Sequence, residues 1–148
     1  MGLFGKKKVA NFAQKVSAVA ESAGLKVVES HDNLVVSVFT TEGGRIQKVL
    51  FVPMGELAGC NIVGIFSVAA EISGEIDPNL AVRLLKENGN HKVGYWGVIE
   101  GKDKTLIGIH HDMVLETFDP EEFRVVVPML AILADKLEKE LSPGTDKF

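Results

Sequence analysis

The chain has 148 residues, of which 46% are hydrophobic and 24% charged, with a formal net charge of -4 and one cysteine. This composition is typical of a single folded domain and excludes a disordered chain. The small negative charge argues against a general nucleic-acid-binding surface. One cysteine excludes an internal disulfide, which fits a reducing compartment. We therefore expect a soluble, cytoplasmic protein that binds neither nucleic acid nor membrane.

The first half of the chain predicts one helix and then four strands. Apolar residues recur every three or four positions over 7–23, which predicts an amphipathic helix, and Gly24 is suited to end it in a left-handed conformation. Gly43 and Gly44 can take the positive φ of a tight hairpin. The predicted strands are 25–30, 33–40, 45–54 and 61–72, with a turn at 31–33 and a loop at 55–59.

The second half predicts a helix, a hairpin of two strands and a longer helix. Asp77 and Pro78 are a typical helix start, and Gly89 marks the end of that helix. Asp119 and Pro120 begin the last helix in the same way. That helix contains a proline, Pro128, which should kink it or loosen one backbone hydrogen bond; the two strands are 92–100 and 104–116. The prediction is one α+β domain over 1–148, with flexible ends at 1–6 and 142–148.

The sequence resembles the YbjN-like family of sensory-transduction regulators, which has the type III secretion chaperone-like fold. The resemblance lies in the element order and in three stretches, LLKENG at 84–89, GYWGV at 94–98 and the closing pattern DPEEF…LAILADKLEKEL. It implies an antiparallel sheet flanked by three helices in the order α-ββββ-α-ββ-α, in a protein that is commonly dimeric. It implies no catalytic residues, and related folds bind polypeptide segments on their surfaces.

Two of the four histidines are adjacent in IGIHHDM, residues 107–113, which raises the question of a metal or catalytic site. Side chains alternate between the two faces of a strand, so His110 and His111 should point apart, whereas His110 and Asp112 share a face. A zinc site needs three or four converging ligands, and no third ligand is evident. We therefore predict no metal site and no cofactor.

Cys60 is the only thiol in the chain. It opens an apolar strand and lacks the local signature of a catalytic cysteine. A free cysteine in such surroundings usually packs as a small, inert hydrophobe. We predict that Cys60 is buried and is not a nucleophile.

Two classes of function fit these observations. The first is a non-enzymatic protein-interaction module, chaperone-like or regulatory, that binds a partner polypeptide as a dimer. The second is a small-ligand-binding protein or an enzyme with a pocket around Cys60 or around His110 and Asp112. Function has to be argued from a site, and no convergent catalytic set is visible, so we favour the first class.

The apolar residues of the strands raise the question of assembly. The segments 61–69 and 93–99 are apolar on both faces, and Tyr95 and Trp96 should point to opposite faces. One layer of helices covers only one face of a sheet. Either the three helices wrap both faces, or a second copy covers the other face through a two-fold interface. We predict a homodimer, with an interface that contains Trp96 or Tyr95 together with Leu80 and Leu84.

Overall fold

A computed structural model describes residues 11–148 of the chain. It confirms the α+β fold, with a six-stranded antiparallel sheet and three helices in the order α-ββββ-α-ββ-α. The predicted flexible residues 1–6 and the first residues of the predicted helix 7–23 lie outside the described part. The helices are α1 (Phe12–Ser22), α2 (Pro78–Asn88) and α3 (Pro120–Leu141), and the strands are β1 (Val27–His31), β2 (Leu34–Thr40), β3 (Ile46–Leu57), β4 (Cys60–Ile72), β5 (Tyr95–Glu100) and β6 (Thr105–Val114).

α2 and α3 begin where the sequence indicates. α1 begins at Phe12, after Asn11 with a φ of +67°, whereas its predicted start at residue 7 lies outside the described part. Asp77 and Asp119 accept hydrogen bonds from the backbone N–H groups of Asn79 and Glu122, both at 2.9 Å. These bonds satisfy N–H groups that have no partner within a helix, which stabilises the first turn. Gly24 follows α1 with a φ of +79°, the left-handed conformation that ends many helices.

The connection between β3 and β4 differs from the prediction of a loop over 55–59. β3 continues to Leu57 and β4 begins at Cys60, so Ala58 and Gly59 form the whole turn, with φ of +51° and +81°. Positive φ at both central residues gives the turn a twist that matches paired strands. The loop prediction is wrong because alanine rarely adopts positive φ, so this stretch lacks the usual hairpin signal.

All three helices pack on one face of the sheet, which we call the covered face. α3 lies across β3, β4 and β6, α1 lies against β1 and β2, and α2 lies against β5. α1 and α2 also contact α3, α2 through an Arg83–Glu140 ion pair. The other face, the open face, has no helix from residues 11–148 on it. The strands run in the order β1-β2-β3-β4-β6-β5, which leaves β5 at an edge.

The C-terminal tail is held against the first residues of β3. The carbonyl of Phe148 accepts a hydrogen bond from the N–H of Lys48 at 2.8 Å. The carboxylate of Asp146 accepts from the N–H of Ile46 at 3.1 Å. The flexibility of 142–148 stays a prediction, but the tail has specific hydrogen-bond partners that its composition does not indicate.

Arg45 joins β3 to α3 and to the tail. Its guanidinium lies 2.6 Å from Asp135, 3.1 Å from Glu138 and 3.8 Å from Asp146. Asp135 and Glu138 are buried, and buried carboxylates need a charged or hydrogen-bonding partner. The hydrogen bond from Arg45 to Asp135 is the largest of the interactions that raise the pKa of Arg45. The three carboxylates have the spacing of metal ligands, but the guanidinium already contacts all three, so we assign the group to structure.

Candidate functional site

The structure separates the residues that the sequence assigns to an interaction surface. Trp96 is 6% exposed and lies on the covered face, where its Nε1 donates to a carboxylate oxygen of Glu87 at 3.0 Å. Leu84 is buried and Leu80 packs against the core. Tyr95 is 43% exposed and lies on the open face, which confirms that it points away from Trp96. The four residues therefore do not form one surface, and of them Tyr95 is the exposed one.

The open face carries a row of apolar and aromatic side chains across five strands. The strand register places Val36, Leu50, Phe66, His110 and Tyr95 directly opposite one another, in that order. Facing residues of paired strands point to the same side of a sheet, so the five side chains form one continuous band. We call this band the open-face row. Further apolar side chains flank it, and they are partly exposed: Val38, Val52, Ile62 and Val68.

His110 lies between two aromatic rings of the open-face row. Its ring centroid is 5.7 Å from that of Phe66 and 5.5 Å from that of Tyr95, with interplanar angles of 23° and 19°. A Cβ at Gly97 would lie 3.2 Å from the imidazole, so the absence of a side chain there makes room for the ring. Within the described chain the buried Nε2 of His110 has no hydrogen-bond partner. The result is a flat aromatic patch with a buried, unsatisfied nitrogen.

Asp112 and Tyr95 form a hydrogen-bonded pair at one end of this patch. The Tyr95 hydroxyl donates to Oδ2 of Asp112 at 2.9 Å. Burial, and then this hydrogen bond, raise the pKa of Tyr95 to about 12. An efficient general acid has a pKa near the working pH, and this phenol is far above it. The pair therefore fixes the orientation of Tyr95.

The environment of His110 predicts a specific pH dependence of stability. Burial lowers the pKa of His110 from its ordinary value of 6.5, although the charge of Asp112 opposes this shift. The unfolded chain then binds the proton more tightly than the folded chain. The contribution of neutral His110 is therefore complete above about pH 6.5 and is lost as the pH falls through that value toward the lower folded pKa.

This dependence can be measured by urea unfolding between about pH 8 and about pH 5 at one protein concentration. We expect His110→Gln to flatten the fall in the free energy of unfolding below about pH 6.5. His31→Gln is the matched control, because His31 is exposed and its side chain is paired with the exposed Glu29, at 2.7 Å. A His110→Gln slope that equals the wild-type slope would refute the assignment.

The remaining histidines point elsewhere. His111 faces the covered side, as the alternation predicts, and its Nδ1 accepts the N–H of Gly94 at 3.3 Å. His91 lies beside Trp96, with ring centroids 6.3 Å apart. None of the four histidines, all within residues 11–148, belongs to a group of three potential metal ligands. That the protein binds no metal stays a prediction.

Cys60 lies away from the histidines. It is partly exposed beside the β3–β4 turn, so the prediction that it is buried is wrong. The cause is the unexpectedly tight turn, which places Cys60 at the end of a hairpin. It lies six positions along β4 from Phe66, the residue opposite His110, or about 20 Å along the strand. The structure therefore does not bring Cys60 and His110 into one pocket, and the reactivity of Cys60 stays a prediction.

A second feature, an apolar groove, lies between α2 and the edge strand β5. It encloses about 300 Å³. Leu85 and Val98 at its rim are 69% and 50% exposed. The sequence places Leu85 on the apolar face of α2 with Leu84, but only Leu84 reaches the core because β5 ends the sheet beneath the helix. The groove is lined by Ile76, Ala81, Leu84, Leu85, Trp96, Gly97, Val98 and Ile107.

Two further findings concern membrane spans and the comparison with known proteins. Within residues 11–148, no helix has both the length and the apolar character needed to cross a membrane. No family model matches the sequence, and a search of curated proteins found no match. The resemblance to YbjN-like regulators therefore stays a prediction.

Proposed function

We propose that this protein is a non-enzymatic protein-interaction module that self-associates as a homodimer through its open face. The observation that carries the proposal is the open-face row, which runs across five strands on a face that no helix of residues 11–148 covers. Within the row Val36 is 5% exposed, Leu50, Phe66 and His110 are partly exposed, and Tyr95 is 43% exposed. Contiguous apolar surface on an uncovered face is typical of an interaction surface. A cytoplasmic role, with a partner polypeptide bound by the dimer, is part of the same proposal.

The dimensions of the open face suit a second copy. Five strand spacings of about 4.8 Å and a strand length of about 20 Å give a flat footprint of roughly 500 Å². The side chains project from the sheet, so the solvent-accessible area of the open face is larger than its flat footprint. It approaches the roughly 800 Å² that each subunit buries in a stable interface. Two such sheets would pack face to face about 10 Å apart, with the two rows crossing at their central residue, Phe66.

The charges on the open face support a two-fold arrangement. Lys48 lies two residues before Leu50 on β3, and Asp112 lies two residues after His110 on β6, so the two exposed charges flank the row on opposite sides. A two-fold axis in the interface, perpendicular to the line that joins them, brings Lys48 of each subunit opposite Asp112 of the other. Isologous interfaces pair surfaces in this reciprocal way. These two charges are thus complementary across the proposed axis, whereas the exposed Glu29, opposite Val36, lies at the β1 end of the open face.

Light scattering of the purified protein at micromolar concentration tests the proposal. We expect a dimeric mass for the wild type and a monomeric mass for Phe66→Asp, because a buried unpaired carboxylate is strongly unfavourable in an apolar interface. Val125→Asp is the matched control, since Val125 is 66% exposed on α3, away from the open face; this variant should remain dimeric. A monomeric wild type, or a dimeric and folded Phe66→Asp, would overturn the model.

A charge exchange gives a second test that leaves every side chain of the row in place. Asp112→Lys also removes the acceptor of the Tyr95 hydroxyl, so Asp112→Asn, which keeps an oxygen acceptor, is measured beside it. Lys48→Asp and Asp112→Lys should each weaken dimerisation about tenfold through like-charge contacts, and the double exchange should restore it. Lys48 and Asp112 of one subunit lie two strands and four residue positions apart. They are therefore too distant to pair within a subunit, so a restored dimer would report pairing between subunits. Single variants that leave the dimerisation constant unchanged would contradict the two-fold arrangement.

A further inference from the structure

The outer edge of β5 carries backbone N–H and C=O groups, and only some of them are hydrogen-bonded to other residues of the described chain. The side chain of Asn88 accepts a hydrogen bond from the N–H of Trp96 at 2.6 Å and donates to its carbonyl at 3.2 Å. Asn88 therefore takes the place of a neighbouring strand at this one residue. Outward-pointing groups recur at every second residue of a strand, so those of Val98 and Glu100 also point away from β6. The tertiary hydrogen bonds of residues 11–148 include none to these groups of Val98.

The apolar groove lies directly beside this edge. Val98 belongs both to the edge strand and to the wall of the cavity of about 300 Å³, and the exposed Leu85 of α2 forms the opposite rim. A strand added next to Val98 would have its side chains alternate between the two faces of the sheet. Every second side chain would therefore lie over the groove, where it would bury apolar surface against Leu85 and Ile76.

We propose that the β5 edge and the α2 groove together bind an extended segment of a partner polypeptide, with apolar residues at alternate positions, by strand addition. This inference rests on the proposed role as an interaction module but uses a different surface from the dimer. Main-chain hydrogen bonds to an exposed edge supply affinity in this binding mode, and side-chain pockets supply specificity.

A second copy of this chain fits the β5 edge less well than a separate polypeptide. If two β5 strands paired, each would offer three covered-face side chains: Trp96, which is already buried, Val98, which is half exposed, and the charged Glu100. None of the three would fill the partner's cavity of about 300 Å³. Asn88 also limits the free edge to a few residues beyond Trp96, which suits a short segment anchored by its side chains.

Selection of random heptapeptides displayed on phage against the full-length protein tests this inference. We expect binders with apolar residues at alternate positions. A synthetic binder should lose at least about tenfold in affinity for Leu85→Asp, which introduces a charge at the groove without disturbing the core. Val125→Asp is the control and should bind like the wild type, because Val125 is equally exposed but lies on α3.

N-methylation of single peptide amides separates strand addition from other modes of binding. Methylation of an amide that faces β5 should abolish binding, whereas methylation of the next amide should have little effect, because only alternate amides pair with the edge. Any of three results would overturn the proposal: no peptide is selected, the selected peptides bind Leu85→Asp as tightly as the wild type, or binding survives every N-methylation. Phe66→Asp should bind the peptide normally, so failure of the dimer model and failure of this one can be told apart.

Discussion

Replacing Phe123 by alanine should lower the free energy of unfolding by about 3–5 kcal/mol. Phe123 is 0% exposed, and its ring stacks against those of Phe51 and Phe118, with centroids 5.3 Å and 5.0 Å away. It therefore joins α3 to β3 at the centre of the core. Its removal loses both transfer free energy and the contacts of two aromatic neighbours, and a rigid sheet cannot collapse fully into the space. Urea unfolding measures the loss.

Phe118→Ala is the matched control for this substitution. Phe118 has the same side chain and stacks on Phe123, but it is only partly buried, in the segment before α3. We expect a loss of about 1–2 kcal/mol, because less apolar area is removed from contact. Equal losses for the two variants would contradict the placement of Phe123 at the centre of the core.

Gly94→Ala is expected to cost about 2–4 kcal/mol, which is a large effect for the addition of one methyl group. Gly94 has a φ of +78°, and a Cβ there would lie 2.7 Å from Cδ2 of Leu130 and 3.0 Å from Cγ1 of Ile109. An alanine at this position therefore meets left-handed strain and overpacking together. The residue directly precedes β5, so the substitution should also shift the edge strand. Thermal and urea unfolding both report the change.

Gly74→Ala separates the two contributions. Gly74 has a φ of +87°, and a Cβ there would have no heavy atom within 4 Å. The control variant should therefore show the strain alone, about 1 kcal/mol. If the two variants lost the same free energy of unfolding, the strain of the positive φ alone would explain the effect at Gly94. The close approach of α3 and β6 to Gly94 would then not contribute.

The two proposed binding surfaces lie on different parts of the same sheet. The open-face row faces away from all three helices, whereas the groove opens between α2 and the edge of β5. Tyr95 and Trp96 are adjacent in sequence, and strand alternation places one in each region. A dimer formed through the open face would therefore leave both grooves accessible, so one dimer would offer two sites for extended segments.

The sequence alone determined the elements and their types. Local chemistry explains this success, because Asp77 and Asp119 start helices through hydrogen bonds to residues two and three positions on. The alternation of side chains likewise predicted that His110 and His111 point apart and that Trp96 and Tyr95 do so too. The tight turn at Ala58 escaped prediction because the conformation of that residue is set by strand pairing on both sides.

The tertiary structure alone decided which face the helices cover and which residues meet. β4 and β5 are apolar on both faces, so their pattern did not show that Trp96 would be buried and Tyr95 exposed. That choice follows from the insertion of β6 between β4 and β5, a pairing between distant segments. Arg45 meets Asp135 and Glu138 across 90 and 93 residues. Such contacts depend on how the layers pack, and no local periodicity in the sequence encodes them.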